Sequence, residues 1–348
     1  MTPVAIVENL ISLTERTPLP DSITRAGVRF LVGRTRRALA TAPSCATREF
    51  AARMADLPVA LATADANRQH YEIPAAFFRE ILGHRAKYSC CYFDAPRTSL
   101  DDAEDRALAL TCANAGLHDG QSVLELGCGW GSLSLWMAEH YPASRVTAVS
   151  NSASQRDHIM AEAARRGLSN LDVVTADMNA FAPPAGQVFD RIVSVEMFEH
   201  MSNWRELLTR VAGWLAPDGR FFMHVFSHPD APYRFDHTDR ADWIAQHFFT
   251  GGIMPSHGLI REFGDILTVE QDWRWSGSHY RLTAERWLEN YDRNAGRIDT
   301  ILAEVYGPEA ALWKRRWRLF FLATRGLFGH GGGEVWGISH YRLKHPGT

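Results

Sequence analysis

The most constraining feature of the chain is a change of rhythm near residue 105, where short apolar runs begin to alternate with segments of helical period. SVLELGCG, RVTAVSNS, LDVVTADM, FDRIVSVEM and GRFFMHVFSH read as strands. Between them LSLWMAEHY and SQRDHIMAEAARRG, the latter ended by a glycine, read as helices. Strands alternating with helices satisfy their backbone in a parallel sheet covered on both faces. The expected fold class is therefore α/β and Rossmann-like, with ligands bound beyond the carboxyl ends of the strands.

On either side of this stretch the pattern differs. Residues 1–75 read as helices with short breaks, from the apolar spacing of VAIVENLISL and AGVRFLVGRTRRALATA. The second segment carries a basic face, which suits either a solvated helix surface or a membrane-surface role. Residues 226–295 carry aromatic, helix-prone segments, ADWIAQHFF, FTGGIMPSHG and TAERWLENYDRN, which read as an insertion roofing the crevice. LTVEQDWRW and VWGISHYRLKH read as two strands returning to the sheet, joined by the long helix EAALWKRRWRLFFLATRGLFG. The expected organisation is a helical N-terminal region (1–75), a cofactor-binding Rossmann-like core (76–225), an acceptor-binding cap with one strand (226–295), and a C-terminal helix with the final strand completing the core (296–348).

The 348 residues are 46% hydrophobic, enough for a large core, and 37 basic against 40 acidic residues give a net charge of -3. That balance argues against a nucleic-acid partner, which needs a basic face to neutralise phosphates. Cys45, Cys90, Cys91, Cys112 and Cys128 form no CxxC pair and no zinc spacing, so no metal site is expected. With no secretory signal at the start, the expected location is a reducing cytoplasm. No apolar run approaches the roughly 20 residues that span a bilayer. The long C-terminal helix can pack within the chain or across a dimer, so monomer and homodimer both stay open.

Gly127-Cys128-Gly129-Trp130-Gly131 follows the strand SVLEL and opens a helix. Glycines there let the backbone turn tightly and approach a ligand beside the positive end of a helix. A plain turn uses the same residues, but the strand–turn–helix context, with Glu125 just before it, favours a cofactor loop. A nicotinamide site would want GxGxxG and an acidic residue ending the second strand. Here the motif is GxGxG, the second strand ends in Ser150-Asn151-Ser152, and the lysine of an ATP-binding loop is absent. Asp177-Met178, ending the third strand, suits an adenine clamped between a carboxylate and a thioether. These features favour S-adenosylmethionine (SAM), with S-adenosylhomocysteine (SAH) as product, over NAD or ATP.

VLELGCGWGSLSLWMAEHY, YSCCYFD, RIVSVEMFEHM and FFTGGIMPS together resemble the class I SAM-dependent methyltransferases of the cyclopropane-fatty-acid synthase superfamily. Within it the match is to the coclaurine N-methyltransferase branch, which methylates benzylisoquinoline alkaloids. The resemblance runs from QHYEIP at residue 69 to the last strand. It implies a mostly parallel seven-stranded sheet with helices on both faces, a helical N-terminal region and a helical cap insertion. It also implies a cofactor site in which Tyr88 and Ser89 face the methionyl carboxylate, and Gly127 and Gly129 pass under the cofactor. Asn151, Ser152 and Gln155 would lie near the ribose, Asp177 and Met178 would hold the adenine, and Val195 would touch the sulfonium region.

VEMFEHM follows the fourth strand, on the methyl-donor side. If a helix begins at Glu196, then Glu196, Glu199 and His200 share one face. Methyl transfer is an in-line displacement and an alkylammonium has no lone pair, so a protonated amine needs a base before it can attack. A carboxylate–histidine group supplies one and holds the cation. Glu196 as a helix cap and His200 as a core histidine is the plainer alternative. The resemblance assigns these three positions substrate binding and deprotonation of a small, aromatic or benzylisoquinoline-like amine.

The same resemblance carries a second set. In cyclopropane-fatty-acyl-phospholipid synthases a bound bicarbonate acts as the base, and its ligands would fall on Cys90, Glu199, His224 and Tyr280. A lipid methyltransferase using bicarbonate, with peripheral membrane contact, is therefore the alternative. The lipid enzymes have glycine or another small residue at the position of Glu196, and a carboxylate there suits a cation. Trp243, Phe248, Phe249, Trp273, Trp275, Tyr280, Trp287 and Tyr291 are aromatic candidates for core or cation-binding walls. Gly251-Gly252 allows a close backbone approach, a hinge or a plain turn.

Overall fold

The computed structural model describes residues 14–15, 17, 19–61, 73–239 and 242–348. The helix expected over VAIVENLISL lies outside the described residues. Helices α1 (Asp21–Leu39), α2 (Ala46–Met54), α3 (Ala75–Ile81) and α4 (Leu100–Ala115) precede the sheet. Ser99 caps α4 by accepting from the Asp102 amide, and Gly116, at φ 65°, ends it in the left-handed conformation that favours glycine.

The alternating stretch folds as the rhythm requires. Strands β1 (Ser122–Leu126), β2 (Arg145–Ser150), β3 (Leu171–Thr175), β4 (Phe189–Val195) and β5 (Leu215–Ser227) interleave with helices α5 (Ser132–His140), α6 (Ala153–Arg165) and α7 (Trp204–Trp214). After β5 come a small hairpin, β6 (Tyr233–Arg234) with β7 (Ile253–Met254), and a short helix α8 (Trp243–His247). Strand β8 (Thr268–Ser276) leads into α9 (Gly277–Arg293), α10 (Ala295–Tyr306) and α11 (Ala310–Phe328), and β9 (Gly337–Lys344) follows.

The seven-stranded order is β3-β2-β1-β4-β5-β9-β8. Strands β1 to β5 pair in parallel, and β9 runs antiparallel between β5 and β8. Both returning strands are thus in the sheet, although three helices join them rather than the long one alone. Register decides what meets at the carboxyl edge. Val195 pairs with His224, His224 with His340, and His340 with Trp273, so one row crosses four strands beside the end of β4.

Helices α9 and α11 pack on α3 and on the 88–93 loop through Phe77, Phe78, Trp287, Tyr291, Trp317 and Phe321, all buried. Helix α1 lies against α11 at Gly326, where an added Cβ would fall 2.3 Å from Val28 Cγ1. The glycine is what lets the two helices approach so closely.

Candidate active site

Beyond the ends of β1, β2 and β4 lies a cavity of about 1070 Å³, roomy for one ligand of ordinary size. Its floor is the glycine loop and the end of β4, and its walls come from the 86–89 loop, α1, the β6–β7 region and α11. Of the sequence candidates, Tyr88, Ser89, Gly127, Gly129, Asn151, Gln155, Met178, Val195, Glu196, His200 and Tyr280 line it together. Cys90, Ser152, Asp177, Glu199 and His224 do not reach the lining. Ser152 caps α6 by accepting from the Gln155 amide, and Asp177 Oδ1 accepts from the Asn179 amide at 2.8 Å.

The donor end is shaped by glycine. At Gly127, φ is 82° and a Cβ would meet Met197 Cγ at 2.5 Å. At Gly129, φ is 51° and a Cβ would meet nothing within 4 Å, because the backbone faces open cavity. The buried Ser132 hydroxyl at the start of α5 has no hydrogen-bond partner and lines the same space. An open glycine backbone and an orphaned hydroxyl at a helix N-terminus fit a polar cofactor of the size of SAM. Glu125 lines the same floor: its carboxylate accepts from Ser134 Oγ, and burial pushes its pKa up to about 7.

The acceptor end corrects one expectation. No helix begins at Glu196: only Phe198–His200 form a short 3-10 turn, and Glu196 itself is left-handed at φ 49°. Its amide donates to His224 O at 2.9 Å, which pins that conformation. The side chain therefore turns back across the end of the sheet instead of sharing a helix face with Glu199 and His200. Glu196 Oε1 accepts from the Cys90 amide at 2.8 Å and lies 3.2 Å from His224 Nε2, and Oε2 accepts from the Tyr280 hydroxyl at 2.7 Å.

Behind His224 the bonds continue along the strand row. His224 Nδ1 is 2.9 Å from His340 Nε2, and His340 Nδ1 is 3.2 Å from Asn114 Nδ2. Burial holds both imidazoles well below the ordinary histidine pKa, so they are neutral. With the Asn114 amide nitrogen donating, each ring accepts on Nδ1 and donates from Nε2, and the last N–H points at Glu196. Glu199 is different. Its Oε1 accepts from the Phe226 amide at 2.7 Å, its Oε2 has no partner, and burial beside the Glu196 charge raises its pKa well above the usual range. Two neighbouring buried carboxyls cannot both ionise. Burial raises both, but the three donors on Glu196 favour its charged form, so Glu199 is the one that keeps the proton more readily.

His200 lines the cavity with its ring 4.3 Å from that of Phe249. Phe249 packs against Gly252, where a Cβ would fall 2.1 Å from its ring, and Gly251 turns the chain at φ 77°, so the pair serves a turn and a close approach. Of the eight aromatic candidates, Trp243, Phe249 and Tyr280 reach the lining, and the others do not. Sequence reading missed Lys87 and the α1 and α11 faces, among them Phe30, Phe320 and Leu327. Lys87 was findable as the residue directly before Tyr88-Ser89; the two helix faces carried no signal beyond amphipathic spacing.

A mostly parallel sheet with one reversed strand next to its edge, and a glycine cradle at the end of β1, make this chain a class I SAM-dependent methyltransferase. Residues 61–338 match the family model described as mycolic acid cyclopropane synthetase. The chain belongs to that family, in the branch of its coclaurine N-methyltransferase-like members. It is 40% identical over 281 residues to (S)-coclaurine N-methyltransferase of Thalictrum flavum subsp. glaucum, covering 79% of this chain and 77% of that one. The crystal structure of coclaurine N-methyltransferase bound to N-methylheliamine and SAH superposes with a TM-score of 0.93 at 34% identity, over 98% of this chain and 99% of that one. Cyclopropane-fatty-acyl-phospholipid synthase of Escherichia coli K12 is more distant, 29% identical over 78% of this chain and 66% of that one. Among the described residues no helix is long and apolar enough to cross a membrane.

Proposed function

We propose that the protein methylates the nitrogen of a small, aromatic, benzylisoquinoline-like amine. The observation that carries this reading is the placement of the Glu196 carboxylate. It accepts from the Cys90 amide and the Tyr280 hydroxyl, with His224 Nε2 beside it, and it lines the cavity together with His200. A carboxylate held ionised among apolar and aromatic walls attracts an ammonium and takes its proton.

SAM supplies a methyl on a sulfonium, already a good leaving group. The chain's part is to hold and align. Gly127, Gly129, Ser132, Asn151 and Gln155 would hold the cofactor from the β1 and β2 side, with Tyr88, Ser89 and Met178 around it; Ser152 and Asp177 act from behind the lining. Glu196 receives the acceptor's proton, Glu199 stays neutral and adds no second charge, and His200 borders the acceptor on the open side. Trp243, Phe249 and Tyr280 wall the acceptor, and bringing nitrogen and methyl into line supplies most of the rate.

Cys90, His224 and Tyr280 also belong to the set that the family resemblance gives to bicarbonate in the lipid enzymes. In this chain their donors converge on Glu196, whose carboxylate fills the place an external anion would take. That favours an amine over an alkene, and a resident base over bicarbonate. A cytoplasmic location accompanies this reading, supported by five free cysteines, four of them buried.

The test is SAH formation against a panel of benzylisoquinolines, phenethylamines and vesicles of unsaturated phospholipid. SAH with the amines and a gain of one methyl on nitrogen is the expected result. SAH with vesicles alone would move the protein to lipid chemistry.

A further inference from the structure

Lys87 is a buried cation that the reading above leaves without a task. It is 2% exposed and lines the cavity. Its Nζ donates to Ser89 Oγ at 2.6 Å and to Cys90 O at 2.7 Å, and among the described residues it forms no ion pair. The chain is otherwise sparing with lysine: Lys87, Lys314 and Lys344 are its three, against 37 basic residues in all. A compact ammonium with rotatable donors reaches both oxygens here, and what arginine would share with it is the fixed charge.

The two backbone groups of Cys90 join this cation to the base. Its N–H donates to Glu196 Oε1 at 2.8 Å, and its carbonyl accepts from Lys87. We propose that Lys87 is a positioning residue that keeps Glu196 ionised, acting as a fixed counter-charge across the Cys90 backbone. The inference rests on Glu196 being the proton acceptor for an amine.

The groups facing Glu196 from other elements leave this role to Lys87. From β5 and β9, His224 and His340 are neutral. From α9, Tyr280 donates its proton in a hydrogen bond, and burial beside Glu196 keeps the phenol protonated. From the 3-10 turn, Glu199 is protonated, and His200, facing the cavity, also acts to hold the Glu196 pKa down but ranks behind Lys87. On the loop, burial keeps the Cys90 and Cys91 thiols protonated. Burial pushes the Glu196 pKa up, and the Lys87 charge is foremost among the influences that hold it down. The other carboxylate near Lys87, Glu104, already accepts from the amides of Gly83, Arg85 and Lys87.

The test compares wild type, Lys87→Met and Lys87→Arg in kcat/KM for the amine across pH, with SAM affinity measured alongside. Loss of an opposite charge within about 4–6 Å raises a carboxyl pKa by about 1–3 units, and the Cys90 peptide between Lys87 and Glu196 puts this pair at the low end, about one unit. The acid limb of Lys87→Met should therefore move up by that amount, with activity near neutrality down by up to about tenfold and recovered at high pH. Lys87→Arg should keep the limb near its wild-type position. The amine's own titration is common to all three proteins and cancels in the ratios. A loss equal at every pH, or confined to SAM affinity, overturns the proposal. Infrared difference spectra between wild type and Glu196→Gln report the same carboxyl without any acceptor. A carboxylate in wild type that becomes an acid in Lys87→Met at neutral pH sustains the proposal. A protonated Glu196 in wild type overturns it even if Lys87→Met fails to fold. Absence of amine turnover by wild type, with the infrared shift as expected, would strike the N-methyltransfer reading and not the ion pairing.

Discussion

A non-glycine residue in the left-handed region costs about 1–2 kcal/mol, and Glu196 accepts that cost at φ 49° because its amide reaches His224 O and its carboxylate reaches three donors. Glu196→Gly would relieve the backbone while removing the carboxylate proposed as the base. Thermal stability should stay level or rise, and amine turnover should fall by about 100-fold or more. Added formate or bicarbonate should restore part of the turnover, since the Cys90, His224 and Tyr280 donors remain; saturable rescue in SAH-release kinetics checks this. The candidacy of Glu196 was legible from residue type and position, and the structure places it in the cavity lining. Its conformation was not, because a helix start and a left-handed turn differ here only through a hydrogen bond to a strand some thirty residues on. Glu199 was legible as a carboxyl near the site, but its neutral state follows from burial and from Glu196, neither visible in the motif.

The strands are the elements the sequence announces best, since each of β1 to β5 ends at a turn residue or an apolar break that local chemistry dictates. The returning strands β8 and β9 were equally legible, whereas the number of helices between them was not, because α9, α10 and α11 share one amphipathic pattern broken only at Asn294 and over residues 307–309. The loop over residues 83–91 shows why an element matters as much as its residues. Glu104 on α4 accepts from Gly83 N at 2.9 Å, Arg85 N at 2.8 Å and Lys87 N at 3.2 Å. These bonds set the height at which Lys87, Ser89 and Cys90 meet the cavity. Glu104→Ala would leave three amides without partners and cost about 3 kcal/mol or more. Denaturant unfolding should register that loss, and SAM affinity should fall with it, since Tyr88 and Ser89 ride on the same loop.

At the scale of the whole molecule, buried acids tie stability to pH. The Glu125 carboxyl is raised from about 4.5 to about 7 by burial, against the Ser134 hydrogen bond. A raised folded pKa means the folded state holds the proton more tightly than the unfolded one. This contribution is complete below pH 4.5 and declines as pH rises to about 7. Glu125→Gln should match wild type in thermal unfolding near the lower limit. Above the upper limit it should exceed wild type by about 3 kcal/mol. The placement of β9 has a different consequence. It is made after every other strand of the sheet, yet it lies between β5 and β8 and carries His340 into the row that reaches Glu196. While the chain emerges from the ribosome, the cofactor half can pair β1 with its neighbours, but β5 waits as a bare edge open to other nascent chains. The β5–β9–β8 side is therefore the last part of the sheet that can close.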